Sequence, residues 1–158
     1  MGISKKPRKR YDKSANNRRL MNTKLRAIPY EFGVLCQPID SFFDGILDTG
    51  EIDEIQGLAV FNDIIFDRIL NVKLSGVSFV ETVELLAKEK GKPSGFLKPL
   101  KEFFNDIDSG KEFSAKELQS AYDGWQMTKN LIGDSSIMEF VKAVKEWEIR
   151  HEGQRDNG

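Results

Sequence analysis

From Gln37 onward the chain sets apolar stripes at helical spacing between short Gly-, Ser- and Pro-bearing breaks. Ile39, Phe42, Phe43, Ile46 and Leu47 fall at i, i+3, i+4, i+7 and i+8 behind Pro38, and Gly50 ends the run. Proline suits a first helical turn because it has no N–H to satisfy there, and glycine closes a helix because it enters the left-handed conformation freely. The spacing next predicts a longer helix over 51–74. Ile55, Leu58, Phe61, Ile65, Phe66, Ile69 and Val72 mark its main face, and Val60, Ile64 and Leu70 spill round the sides. Only Asp63, Asp67 and Asn71 form a continuous polar strip, so this helix is expected at the centre of the core. Ser78 and Glu81 have the spacing of a capping box, in which each side chain satisfies an orphan backbone N–H of the other. They open a third helix to Lys90, with Phe79, Val83 and Leu86 inward and Gly91 at its end.

The layout then returns. Pro38, Phe42-Phe43, Ile46 and Asp48-Thr49-Gly50 answer to Pro99, Phe103-Phe104, Ile107 and Asp108-Ser109-Gly110. Glu54-Ile55-Gln56 answers to Glu117-Leu118-Gln119, and Ser78, Glu81 and Val83 answer to Ser136, Glu139 and Val141. Such self-similarity reads as two diverged copies of one helical unit. In the second copy Phe96, Leu97, Leu100, Phe103, Phe104 and Ile107 build the first helix. Ser114 with Glu117 caps a second helix, which carries Leu118, Ala121, Tyr122, Trp125 and Ile132. Ser136 with Glu139 caps the last, whose Ile137, Phe140, Val141, Val144 and Trp147 face inward. Gly124 inside a helix costs about 1 kcal/mol relative to Ala, which predicts a close approach of a neighbouring backbone. From His151 onward the chain is polar and expected to fray.

Ahead of the repeats, residues 1–13 carry Pro7, dense positive charge and little to bury beyond Ile3 and Tyr11, and are expected to be disordered. Ser14 is a candidate N-cap for a short basic helix within 14–28, where Met21, Leu25 and Ile28 share a face and Pro29 ends the run. The period of Tyr30–Cys36 is mixed and fits either a short strand or a further helical turn. The expected fold is therefore all-α. Two diverged three-helix repeats, 37–91 and 96–150, pack as one helical bundle within a single domain, 14–158, behind a basic arm.

At 158 residues the chain is long enough to bury one core, and 39% apolar with 31% charged residues describes a globular protein. No apolar run reaches the roughly 20 residues that span a bilayer, and no apolar segment follows the basic start, so neither a membrane partner nor a secretory signal is expected. Cys36 is the only cysteine, which excludes an internal disulfide and suits a reducing, cytoplasmic location in a host cell. The net charge of −1 conceals a division: residues 1–26 balance at +9 and residues 27–158 at −10. A basic arm on an acidic body is the main functional clue.

Lys5, Lys6, Arg8, Lys9, Arg10 and Lys13, continued by Arg18, Arg19, Lys24 and Arg26, would neutralise several nucleic-acid phosphates, giving salt-sensitive binding with little sequence preference. Tyr11 offers a ring for base stacking. The plainer reading is a solubilising tail, or one that folds back on the acidic body. Residues 106–117 place Asp106, Asp108 and Glu117 at positions 1, 3 and 12 of a calcium loop, but Lys111 stands where the turn glycine belongs, and an Asp-Ser-Gly turn explains the stretch better. Glu51 with Glu54 and Glu81 with Glu84 form two Glu-x-x-Glu pairs. On consecutive helices these would hold Mg²⁺ against nucleotide phosphates, as in all-α nucleotide pyrophosphohydrolases, although those show Asp where Glu84 stands. No catalytic residue, metal ligand or cofactor is assigned. The lone His151 and the buried character of Cys36 leave no nucleophile pair unless the tail folds in.

Arg8-Lys9-Arg10-Tyr11, the basic first helix, Phe42-Phe43 with Ile46-Leu47 and Thr49-Gly50, and Phe61-Asn62-Asp63-Ile64 resemble small proteins of phages, prophages and related mobile elements that open with a Lys-Arg-Tyr arm. The resemblance covers the arm and the first repeat. It implies a mobile-element accessory protein of the kind sometimes labelled a transcriptional regulator, and supplies no site residues. The chain departs from a Fis-like regulator in lacking a recognisable C-terminal helix-turn-helix. The sequence thus points to a non-enzymatic nucleic-acid-associated regulator or structural factor. The first alternative is a protein-interaction module or inhibitor that binds a host or self partner through its acidic helical face. The second is the Mg²⁺-dependent nucleotide hydrolase.

Overall fold

A computed structural model of the chain describes residues 13–156. It runs α1 (Lys13–Asn22), a 3-10 turn (Leu25–Ala27), α2 (Pro29–Thr49), β1 (Glu54–Ile55), β2 (Leu58–Asp63) and β3 (Arg68–Asn71). A π turn (Val72–Gly76) follows, then α3 (Val77–Glu89), α4 (Leu97–Asp106), α5 (Ala115–Gly133) and α6 (Ile137–Asp156). The protein is mostly helical, with one small antiparallel sheet in the order β1-β2-β3.

That sheet stands where the sequence predicts the central helix of 51–74, and turn chemistry decides the outcome. Gln56 (φ 53) and Gly57 (φ 80) are both left-handed, the pair a two-residue hairpin loop needs, and they bring Ile55 opposite Leu58. A second turn, with Asp67 at φ 49, returns β2 into β3 and pairs Asp63 with Arg68. Burial follows the sheet. Ala59, Val60, Phe61 and Asp63 are buried, whereas Ile64, Ile65, Phe66 and Ile69 are exposed. The apolar residues drawn onto one helical face therefore point to different sides of a hairpin. The first unit is helix–sheet–helix and the second is three helices, so the two are not structural equivalents and the expectation of paired three-helix repeats does not hold.

The likeness between the two stretches survives at one place, the core. Phe43 stacks on Phe103 at 5.7 Å and 26°, and Phe42 meets Phe61 edge-on at 5.1 Å. Phe61 in turn meets Phe104 at 5.6 Å and 88°. The two Phe-Phe pairs thus face one another across α2 and α4 with the sheet's Phe61 wedged between them. Edge-on and offset rings favour the aromatic quadrupole and add to what burial contributes.

Where β2 outruns its neighbours, side chains replace the missing strands. On one edge Gln37 Nε2 donates to the carbonyl of Asn62 at 3.0 Å, while Gln37 Oε1 accepts from the N–H of Ile64 at 3.0 Å. One primary amide thereby imitates a strand's peptide group. On the other edge Asp108 Oδ1 accepts from the N–H of Ala59 at 2.9 Å. Buried strand groups without such partners would be costly.

Helix ends follow local chemistry, with corrections. The basic helix stops at Asn22, where the hydroxyl of Thr23 donates to the carbonyl of Arg19 at 2.7 Å. Leu25 then donates its N–H to Ser135 at 2.9 Å, which ties the 3-10 turn to the start of α6. Pro29 opens α2 instead of ending the segment before it, and Pro38 lies inside α2 at the loss of one backbone bond. Gly50 (φ 73) closes α2 as expected. The Ser114–Glu117 and Ser136–Glu139 capping boxes both form. Ser78 and Glu81 do not make one, because the π turn already feeds the helix before Ser78 is reached. Nor does the chain fray at His151, which lies within α6. The arm expected to be disordered, residues 1–13, lies outside the described residues except for Lys13, which opens α1.

Candidate nucleic-acid interface and exposed hairpin

Of the cations singled out above, Lys5, Lys6, Arg8, Lys9 and Arg10, with Tyr11, lie outside the described residues. Lys13 is the first residue of α1. Arg18, Arg19 and Lys24 are exposed on α1 and the turn after it, and none forms a salt bridge among the described residues. Arg26 differs. Its guanidinium pairs with Asp134, and its Nε donates to the carbonyl of Gly133 at 3.4 Å. Three cations are thus exposed and without an ion-pair partner among the described residues, while a fourth is partly neutralised by the acidic body. α1 packs on α6, and buried Leu25 fixes the turn beneath.

The carboxylates considered for metal chemistry are dispersed or already engaged. Glu51 follows α2 in a loop and Glu54 belongs to β1, so these two do not share a helical face. Glu81 and Glu84 both hold Lys101 Nζ, at 3.7 and 2.9 Å. That ammonium is driven up from its ordinary pKa chiefly by the bond to Glu84. In the 106–117 loop Asp108 serves Ala59, and Glu117 takes Lys111 and the N–H of Ser114. Among the described residues no three His, Cys, Asp or Glu side chains gather closely enough to hold a metal ion.

Cys36 is buried, and burial first, then the nearby Asp40 carboxylate, pushes its thiol up to about 12, with Lys129 opposing. It stays a thiol at neutral pH and packs as a small apolar residue.

Sequence reasoning missed a polar cluster at the far end of α6. His151 stacks on Trp147 (4.1 Å, 19°) and its Nδ1 lies 2.8 Å from the Trp147 carbonyl. Trp147 Nε1 donates to Glu81 at 3.3 Å, and His151 Nε2 lies 3.9 Å from the same carboxylate. The signal was present: His151 is four residues beyond a tryptophan on the inward stripe. The cluster fastens α6 to α3.

The larger omission is the hairpin surface. Ile64 is 71% exposed, Phe66 62% and Ile69 56%, with Leu74 at 71% just beyond β3. Beside them an apolar groove of about 530 Å³ runs between α2, the hairpin and α6, lined by Val34, Leu35, Phe66, Leu70, Phe79 and Phe140 among others. At its rim buried Asp63 accepts from Arg68 Nε at 2.7 Å, and the guanidinium lies 5.5 Å from the Phe66 ring. Exposed apolar clusters of this kind mark contact surfaces.

Among the described residues no helix is long and apolar enough to cross a membrane. Comparison of the chain with protein-family models, curated proteins and solved structures finds no match.

Proposed function

We propose that the chain is a non-enzymatic, nucleic-acid-associated accessory protein, of the phage-borne kind its N-terminal half resembles. In this reading it binds the phosphate backbone through its basic N-terminal segment. The observation that carries the proposal is the exposure of Arg18, Arg19 and Lys24 without a carboxylate partner among the described residues. They stand directly behind a leader that adds Lys5, Lys6, Arg8, Lys9, Arg10 and Lys13. Cations left in water are available for phosphate, and each one engaged releases condensed counterions. The acidic remainder would repel a polyanion, which confines binding to this segment.

The test is a retardation assay with the full chain on DNA and on RNA across a salt series. Binding is expected at about 50 mM salt and should weaken steeply by about 200 mM. No retardation at the lower salt would overturn the proposal. Removing residues 1–26 would be a poor test, because it also removes buried Leu25 from the core.

A second reading, contact with another protein through the body, is favoured by a specific observation. The exposed hairpin offers an apolar surface that a nucleic-acid role leaves unused.

A further inference from the structure

We infer that a cleft of about 470 Å³ between the α3–α4 loop and α5, beside Lys24, seats an unstacked base of a single-stranded nucleic acid. Cations on its rim hold the neighbouring phosphates. The inference rests on the nucleic-acid role proposed for the basic segment, and names the form of polymer that segment delivers to the body.

The floor of the cleft is apolar. Gly124, Met127 and Leu131 fall at i, i+3 and i+7 on one face of α5. Because Gly124 has no Cβ, the carbonyl of Phe96 comes down onto the helix there, where a Cβ would stand 2.6 Å from its oxygen. That contact holds Phe96 against α5, and it joins Pro93, Met127 and Leu131 in lining the cleft. Met127 is half exposed, and Phe96 is only partly buried. A volume of this size lies within the roughly 300–1,000 Å³ of pockets that take small organic ligands. An open floor of aromatic and thioether groups suits a base, because every base has an apolar face to stack.

The rim is cationic, and local structure fixes where its charges stand. α3 closes on Gly91, left-handed at φ 65, and the N–H of Lys92 turns back to the carbonyl of Ala87 at 2.8 Å. Lys24 is held by a β-bridge to Ser136, next to the Leu25–Ser135 bond. Lys24 and Lys92 are both exposed and form no salt bridge among the described residues. Lys90 is engaged by the carbonyl of Asp134 at 3.0 Å and by Glu139 at 3.4 Å. The Asp134 carboxylate, which also lines the cleft, is taken by Arg26. Four cations thus meet two carboxylates, so the repulsion that keeps a polyanion off the rest of the body is reversed here. Lys24 belongs both to the basic segment and to this rim, which makes the cleft its continuation. A duplex keeps its bases paired and stacked and cannot lower one onto the floor, whereas a single strand can. An acidic peptide would engage the cations and leave the floor idle.

Fluorescence anisotropy of the full chain at about 50 mM salt tests this, with labelled oligothymidylate and oligouridylate strands of about 20 nucleotides and the matching DNA duplex. Lys92→Gln and Met127→Glu should each weaken both single strands by about fivefold or more. Met138→Glu makes the same charge change at an exposed residue outside the cleft and should weaken them less than about twofold. Duplex binding, carried by the basic segment, should change less than about twofold in Lys92→Gln. Circular dichroism melts confirm that each variant is folded. A second readout is covalent: a strand bearing 5-iodouracil, irradiated on the protein, should cross-link to peptides containing Phe96 or Met127. Single-strand binding indifferent to Lys92→Gln and Met127→Glu overturns the cleft and leaves the basic segment's role standing. So do cross-links confined to residues 1–26. Polyglutamate that displaces the strand as well as unlabelled strand does would show a general anion surface, and also overturns it. Failure to bind either strand or duplex overturns both proposals together.

Discussion

Trp125 donates its indole N–H to Asp40 Oδ1 at 2.7 Å, a bond between α5 and α2 that joins residues far apart in sequence. Lys129 Nζ reaches the same oxygen at 2.8 Å and lies 5.7 Å from the indole ring. Trp125 is wholly buried, so its N–H has no water to fall back on. Asp40→Ala should therefore cost about 1–3 kcal/mol, the usual penalty for stranding a buried donor. Asp40→Asn keeps an acceptor for the indole and should cost less than half as much. Urea midpoints of the two variants check this, and equal losses would mean that the charge, not the acceptor, is what matters.

Gly124 and Gly45 make a matched pair with opposite expectations. A Cβ at Gly124 would stand 2.6 Å from the carbonyl oxygen of Phe96, a backbone atom that cannot swing aside. A Cβ at Gly45 would meet nothing within 4 Å. Both lie in helices, where Ala is otherwise favoured by up to about 1 kcal/mol. Gly45→Ala should raise stability by about 0.5–1 kcal/mol, whereas Gly124→Ala should lower it by about 1–3 kcal/mol as α4 and α5 are forced apart. Thermal melts of the two variants should move in opposite directions.

The Asp63–Arg68 pair predicts a pH dependence. Burial raises the carboxyl, but the bond from Arg68 and the N–H groups of Phe66 and Ile65 outweigh it and hold the group below its ordinary value. The folded state thus binds this proton less readily than the unfolded chain. The contribution to stability is complete above the unfolded carboxyl value, about 3.9, and is lost as pH falls through the lower folded one. Stability of the wild type should fall more steeply below about pH 4 than that of Asp63→Asn. Asp63→Asn should still lose stability in acid, though less steeply, because Glu117 and Glu139 are lowered too and remain in the variant. Parallel curves would show that Asp63 carries no such linkage.

The basic segment contains its own internal control. Replacing Arg18, Arg19 and Lys24 with Gln should reduce the slope of log affinity against log salt by about 2–3, near 0.9 for each phosphate no longer neutralised. Arg26→Gln should change the slope by less than about 1, because that guanidinium already faces Asp134. Equal effects from all four positions would argue for diffuse attraction instead of a defined face.

What could be read from the sequence was local and capped. Ser114 with Glu117, Ser136 with Glu139, Gly50 and the close approach at Gly124 all act where a short stretch dictates its own geometry. The stretch 51–74 defeated the same approach because it is apolar nearly all round. Helical spacing can be found in any such run, and the short polar strip of Asp63, Asp67 and Asn71 imitated a solvated helix face. The informative signal was the Gln56-Gly57 step between β-branched and aromatic residues, a turn pair that no helix interior favours. The cluster at Glu81 was hidden for another reason, since Trp147, His151 and Lys101 reach it from α6 and α4, and only tertiary packing unites them. Arg26 looked no different from Arg18 in sequence. Its partner Asp134 is distant along the chain, and nothing local announced the pairing.

The double grip of the Gln37 amide has a mechanical consequence. One side chain of α2 holds both a carbonyl of β2 and the N–H of Ile64 just beyond it, which braces the hairpin against that helix. A load on the tip would pass through that glutamine into the helix carrying Phe42 and Phe43. The exposed apolar hairpin is thereby coupled to the buried rings of α2.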